Sequence, residues 1–275
     1  MALTAKGRVW TAATVLAAGL LAGIGAAEAA QCGNNSAGYG AWLQQTMKEA
    51  PGRGVGPTAI RALAGTRYAQ ATINADRNQK SFKLSFEQFM QKRGASTIIS
   101  RGKAMKAQNA GLFAGIEKRY GVPAGPLIAI WGMETGFGSY MGKQHTLSAV
   151  ATLAYDCRRS EFFTNQLYAA LKLIDHGDLS PQAIGAMHGE IGQTQFMPAN
   201  VLKFGVDGDG SGHIDMARSR ADALYSTANF LVGHGWRRGA GYQPGEPNFA
   251  AIQGWNDAQV YQRAIAVMGK AIDGN

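Results

Sequence analysis

Apolar residues recur along this chain at spacings of three and four rather than two, in segments separated by glycine, proline and asparagine. That periodicity belongs to helices. Ala41 to Ala50 and Pro57 to Ala64 are the first two expected helices, with Pro57 where a first turn accepts proline. Asp76 to Gln79 reads as a polar turn, followed by Phe82, Phe86, Phe89 and Met90 at mostly helical spacing, an aromatic stripe expected in the core. A longer amphipathic helix is expected from Thr97 to Tyr120, interrupted around Gly111 and stopped by Gly121. After it comes an almost unbroken apolar run, Leu127 to Met133, with Pro126 before it and Gly136 and Gly138 after it. Thr146 to Tyr155, Glu161 to His176, Pro181 to Met187, Ser219 to His234 and Asn256 to Ala271 complete the expected helices. Gly205 to Asp215 reads as a Gly/Asp loop and Gly235 to Asn248 as a Gly/Pro-rich surface segment. With no strand series, repeat or long linker in the pattern, the expected fold class is mainly α, one helical domain with a small irregular second lobe.

The first thirty residues follow a different pattern. Lys6 and Arg8 precede an Ala-rich apolar run from Val9 to Ile24, and Ala27-Glu28-Ala29 has the small-x-small form of a cleavage site. The run is short for a membrane anchor, so residues 1–30 are expected to be a cleaved signal peptide and 31–275 the exported chain, with no stable membrane insertion after removal. Gln31 rather than a small residue precedes Cys32, which argues against a lipid anchor. In an oxidising compartment the two cysteines, Cys32 and Cys157, read as one disulfide, the alternative being two buried thiols. The formal charge of +9 favours an anionic partner. For an exported protein, a cell wall with acidic peptide stems fits better than nucleic acid.

Several chemistries are excluded by spacing. Gly136 to Gln144 has the texture of a phosphate loop but lacks its spacing and its Lys-Ser/Thr pair. His188-Gly-Glu190 has no downstream cysteine pair to complete a deaminase zinc site, and the histidines form no His-Glu-x-x-His motif. What remains is Glu134, at the end of the apolar run. The negative end of a helix and apolar neighbours both disfavour its anion, which makes it a candidate general acid. Asp207, Asp209, Ser211 and Asp215 occupy positions 1, 3, 5 and 9 of an EF-hand-like loop, with Gly212 at the turn position. Arg218 stands at position 12, where the bidentate carboxylate belongs, so the loop reads either as a weak structural Ca2+ site or as a set of self-sufficient Asx turns.

Trp131-Gly-Met-Glu-Thr-Gly-Phe-Gly138 resembles the catalytic segment of the membrane-bound lytic transglycosylase B family of murein-cleaving enzymes. The resemblance continues, in order, through Leu147 to Asp156 with Arg158-Arg159, Gly192-Gln-Thr-Gln-Phe-Met-Pro198, Val206 to Gly210, Ala221 to Phe230, Gly235 to Arg238 and Trp255-Asn256. Asp76-Arg77 and Phe82 extend it upstream. It implies a lysozyme-like helical domain with a catalytic cleft, its core at about residues 97–235, acting in the periplasm on peptidoglycan glycan strands. It further implies cleavage of the MurNAc–GlcNAc β-1,4 bond without water to leave 1,6-anhydro-MurNAc ends, with Glu134 as both acid and base and no cofactor required. Gln195, Tyr155, Asn229 and Glu190 would line the substrate path, and Arg158 and Arg159 would bind a stem carboxylate. Some relatives bind a cation in the loop that matches 207–215.

Two positions depart from the relatives. Ala186 stands where an assisting serine is common, and Glu190 where alanine is usual. Phe230 also replaces a common tyrosine after Asn229. A second carboxylate keeps open a water-using muramidase as the alternative, with a non-catalytic peptidoglycan-binding protein as the third reading.

Overall fold

The computed structural model describes residues 31–78 and 84–274. The signal-peptide reading and Phe82 lie outside the described residues. Thirteen α-helices are formed among them: α1 Tyr39–Glu49, α2 Pro57–Ala64, α3 Gln70–Arg77, α4 Phe86–Lys92, α5 Ala95–Gln108, α6 Ala110–Tyr120, α7 Ala124–Thr135, α8 Thr146–Tyr155, α9 Ser160–His176, α10 Pro198–Phe204, α11 Arg220–Gly233, α12 Phe249–Gln253 and α13 Gln259–Asp273. Two short strands, β1 Gln144–His145 and β2 Ile184–Gly185, pair antiparallel. The mainly α expectation therefore holds, with its irregular residues concentrated in the three connections between α9 and α12.

Two helices make the centre. Every residue of α8 is buried, and every residue of α7 except Glu134. A helix apolar on all sides must be surrounded by others. Here α7 packs against α13, α5 and α11, while α8 lies on α9. Glycine allows the closest of these approaches. A side chain at Gly125 would collide with the Gly269 carbonyl of α13, so α7 and α13 meet backbone to backbone there. At that end Asp273 accepts a hydrogen bond from the Gly125 N–H at 2.8 Å, placing an anion at the positive start of α7. Lys106 pairs with the same carboxylate at 3.1 Å, and the Tyr242 hydroxyl donates to it at 2.8 Å.

The chain departs from its sequence pattern at short elements. The expected helix over Pro181 to Met187 is instead a pair of turns around β2. A side chain at Gly185 would collide with the Glu190 carbonyl and the Thr146 hydroxyl, and one at Gly142 with the Gly185 carbonyl, and such close packing favours an extended strand here over a turn of helix. The expected polar turn at Asp76 overlaps the end of α3, and the expected break near Gly111 falls at Asn109. Cys32 and Cys157 form the expected disulfide, beside a bridge between Gly33 and Asp156 that fastens residue 33 to the end of α8.

Candidate active site

Gly136, in the left-handed conformation at φ 58°, stops α7 and leaves Glu134 in its last turn. The neighbouring segment is tied to that turn through Gln193. Its Oε1 accepts the Trp131 indole N–H at 3.1 Å, and its carbonyl accepts the Thr135 hydroxyl at 2.6 Å. Gln193 Nε2 donates onward to the Ala217 carbonyl at 3.1 Å. The first glutamine of Gly192-Gln-Thr-Gln is thus a fastening between α7 and the loop, and the second is free to face the cleft.

That cleft encloses about 290 Å³ and is lined by Glu134, Glu190, Gln195, Phe196, Met197, Asn200, Phe230, Trp255 and Asn256. Two donors from distant parts of the chain converge on one oxygen of Glu134. The Trp255 indole N–H lies 3.0 Å from Oε1, and the Tyr261 hydroxyl 2.7 Å from the same atom. Burial raises the Glu134 pKa above the ordinary carboxyl value. The Tyr261 and Trp255 hydrogen bonds and the Arg93 cation oppose that rise, while the charge of Glu190 adds to it. Burial raises Tyr261 still further above the usual phenol range, so it stays a donor. Trp255 can only donate. With Oε1 accepting, the proton of the neutral acid belongs on Oε2, which receives no hydrogen bond from a described residue and belongs to a side chain lining the cleft.

Glu190 is the opposite case. Burial pushes its pKa up, but hydrogen bonds and charge from His188 outweigh burial and hold it below the ordinary carboxyl value. The His188 backbone N–H lies 3.0 Å from Oε2 and its Nδ1 3.2 Å from Oε1. The turn is closed by Ala186 N–H donating to the Glu190 carbonyl. One cleft therefore contains two carboxyls whose pKa values their surroundings push in opposite directions.

Gln195 takes a left-handed backbone conformation, φ 54°, which costs a non-glycine residue on the order of 1 kcal/mol and concentrates at functional sites. Its Nε2 donates to the Gly192 carbonyl at 2.9 Å, which aims Oε1 as an acceptor. Phe196, Phe230 and Trp255 meet edge to face at 5.1 to 5.8 Å and give the cleft an aromatic wall.

Four other expected site residues lie elsewhere. Tyr155 is buried in an aromatic cluster with Tyr39, Trp42 and Tyr68, against Gly33 and Gly38, so it is a core residue and not part of the cleft. Arg158 and Arg159 both close on the buried carboxylate of Asp76 in α3 while their side chains remain partly exposed, and neither lines the cleft around Glu134. Asn229 donates to the Phe204 carbonyl at 3.0 Å, while its neighbour Phe230 faces the cleft. Sequence reading missed Tyr261 and Arg93 as partners of Glu134. Tyr261 is separated from it by 127 positions, and only its place beyond Trp255-Asn256 hinted at a role.

In the Gly/Asp loop, Asp207 and Asp209 gather with Asp222 of α11, their oxygens within 4.8 Å of one another. Asp215 turns instead to the Arg218 guanidinium and to two backbone N–H groups. Asp207 accepts from the N–H groups of Gly210, Ser211 and Gly212, and the Ser211 hydroxyl donates to the His213 carbonyl. Three hard oxygen donors suit a cation of the Ca2+ type, but most of their capacity is already used by the backbone.

Comparison with known proteins places these features in a group. The family described as transglycosylase SLT domain matches residues 38–245. Membrane-bound lytic murein transglycosylase B of Escherichia coli is 38% identical over 138 residues, covering 47% of this chain and 38% of that protein. The matched part is thus well under half the length of that relative. SltB3 of Pseudomonas aeruginosa, solved with NAG-anhNAM-pentapeptide, superposes with a TM-score of 0.80 at 29% identity, over 86% of this chain and 80% of that one. The same protein with NAG-NAM-pentapeptide gives 0.81 at 28%. Slt35 of Escherichia coli, solved with calcium, has the same fold at 0.75 and 23% identity, over 89% of this chain and 96% of that one.

Proposed function

This chain belongs to the transglycosylase SLT domain family, and from that premise we propose that it is a lytic murein transglycosylase cleaving the MurNAc–GlcNAc β-1,4 bond of peptidoglycan without water. The observation that carries the reading is Glu134, a carboxyl of raised pKa whose Oε1 is held by Trp255 and Tyr261 and whose Oε2 is left to the cleft. Glu134 gives its proton to the bridging oxygen as the C1–O bond breaks and the electron pair leaves with GlcNAc. The resulting carboxylate takes the proton of the C6 hydroxyl, whose oxygen bonds to C1 and closes the 1,6-anhydro ring. Glu134 ends protonated, as it began, and no water or cofactor is consumed. A positioned acid contributes about 10²–10⁴-fold. Holding the C6 hydroxyl against C1 and countering the positive charge that develops there supply further acceleration. Gln195 Oε1 is aimed to accept an N–H such as that of an N-acetyl group, and the aromatic wall suits sugar faces. The ligands of SltB3 support a substrate of this class.

A second reading rests on Glu190. A carboxyl of lowered pKa in the same cleft as one of raised pKa suits a glycosidase that activates water, so a muramidase is the alternative. Digesting isolated sacculi with the purified protein and analysing the released ends by mass spectrometry separates the two. Anhydro ends are expected, reducing ends point to the muramidase, and intact sacculi refute both. Glu134→Gln should lower turnover at least 100-fold while circular dichroism stays unchanged, and near-normal turnover would refute the assignment of the acid.

The substrate and the basic charge fit a periplasmic location, with export directed by residues 1–30. No described helix is long and apolar enough to cross a membrane. A Ca2+ ion at Asp207, Asp209 and Asp222 would brace the loop without entering the reaction. Calcium titration should raise the unfolding temperature by about 2 °C or less and leave turnover unchanged, and a metal requirement for turnover would contradict this.

A further inference from the structure

Of the side chains lining the cleft, Glu134 and Glu190 are the ones that titrate, and the rest are amides, aromatic rings and a thioether. The proposed reaction uses Glu134 as a proton carrier, neutral when the C1–O bond begins to break. Positive charge gathers on the sugar at that moment, in an oxocarbenium-like transition state. Glu134 is then not the standing counter-charge, and Glu190 is the remaining acid in the cleft.

The surroundings of Glu190 favour its anion and fix its place. Its Oε2 accepts the His188 backbone N–H at 3.0 Å, and its Oε1 lies 3.2 Å from His188 Nδ1. The turn that carries it closes through two backbone bonds of 3.2 Å, from Ala186 N–H to the Glu190 carbonyl and from Gly189 N–H to the Ala186 carbonyl. Gly189, at φ 89°, lies so close to α8 that a side chain there would collide with Val150. Just beyond, Ile191 and Phe196 exchange N–H···O bonds of 2.7 and 3.0 Å, which tie the turn to the aromatic wall. The His188 donors hold the Glu190 pKa below its ordinary value despite burial, and a carboxylate so stabilised is a weak base. A fixed anion is instead what a developing cation requires, because nothing need reorganise when the charge appears. A sphere of 290 Å³ is about 8 Å across, and the working carboxyls of glycosidases stand about 5–9.5 Å apart.

We propose that Glu190, held by His188, is a second catalytic residue, the counter-charge that stabilises the cationic sugar ring between cleavage of the C1–O bond and closure of the 1,6-anhydro ring. The inference rests on the lytic transglycosylase reading above and gives Glu190 a part in it that neither donates nor removes a proton. At an effective dielectric of about 20, a unit charge about 7 Å from a partial charge of about one half changes a rate by about tenfold. Turnover then needs Glu134 protonated and Glu190 ionised. It should fall as pH rises through the Glu134 pKa, and fall again as pH drops through that of Glu190. The titratable groups that act on Glu190 are His188 on its own turn and Glu134 of α7, while α8 meets the turn through uncharged groups of Thr146 and Val150.

The test is the pH dependence of kcat and KM on soluble glycan strands, with the product ends read by mass spectrometry. Glu190→Gln should lower kcat about tenfold even at the pH optimum, leave KM within about twofold, abolish the acidic limb and still release anhydro ends. Glu190→Asp, which keeps the charge, should recover part of the lost kcat. His188→Ala removes the imidazole that lowers the Glu190 pKa, so the acidic limb should move to higher pH. An unchanged kcat at the optimum of Glu190→Gln, with only the alkaline limb displaced, would overturn the assignment and leave Glu190 acting through Glu134 alone. An acidic limb that survives in Glu190→Gln would overturn it too. So would reducing ends that the unaltered protein releases and Glu190→Gln does not, since Glu190 would then be the base that activates water. No cleavage by the unaltered protein at any pH would instead count against the lytic transglycosylase reading itself.

Discussion

Glu134 and Glu190 share one cleft with pKa values shifted in opposite directions, and the groups that shift Glu134 give predictions of opposite sign. The proposed reaction needs Glu134 protonated, so activity should fall as pH rises through its elevated pKa. Tyr261 and Trp255 lower that pKa and Glu190 raises it. Tyr261→Phe should therefore move the alkaline limb of kcat/KM to higher pH and reduce the rate by about tenfold, through the loss of one buried hydrogen bond. Glu190→Gln should move the same limb to lower pH. pH–rate profiles of the two variants check this directly, and shifts of the same sign would separate Glu190 from the acid. At this scale the sequence was partly legible. A carboxylate closing an apolar helix before glycine is visible in one dimension, and so is the second glutamate. The donors that orient the acid are not, because they arrive from more than 120 positions away. The Asp76 partner of Arg158 and Arg159 was hidden for a related reason: an arginine pair beside a turn looks the same whether it meets a substrate carboxylate or a buried aspartate.

The pairing of α7 with α13 is the element-scale counterpart of that acid. Asp273 of α13 holds the start of α7 and Tyr261 of the same helix holds Glu134 at its end. Gly125 lets the two backbones touch. Gly125→Ala should push them apart, lower stability by about 3 kcal/mol, and lower turnover in the fraction that still folds. Denaturant unfolding combined with turnover per folded molecule measures both, and full activity would show that α13 does not set the position of Glu134. Long helices with a strong apolar rhythm, such as α8, α9 and α13, were readable from spacing. Several short ones were not. α3, α10 and α12 span eight, seven and five residues, too few for a period to declare itself, whereas α2, also eight residues, was marked by Pro57 at its start. At Pro181 to Met187 a helical composition was overridden by the crowding of Gly185 against Gly142 and Glu190.

On the scale of the whole molecule, the buried side chains form one continuous core, and the disulfide fastens the Cys32 end to its middle. Cys32 and Cys157 are 125 positions apart, and closing a loop of that length stabilises a fold by about 5 kcal/mol on a chain-entropy account. Cys32→Ala with Cys157→Ala should therefore lower the unfolding midpoint clearly while leaving the cleft intact, and an unchanged midpoint would show that the aromatic cluster around Tyr155 holds this end unaided. The long separation of Glu134 from its two donors also has a meaning in time. During synthesis at 5–20 residues per second, the ribosome needs about 6–25 s after making Glu134 before Tyr261 exists. For nearly all of that interval the carboxyl has neither partner, since the indole is made only six residues before the phenol. A growing chain thus passes through a period in which its acid is present but unaimed, and competence arrives late, with the residues that lock α13 onto α7.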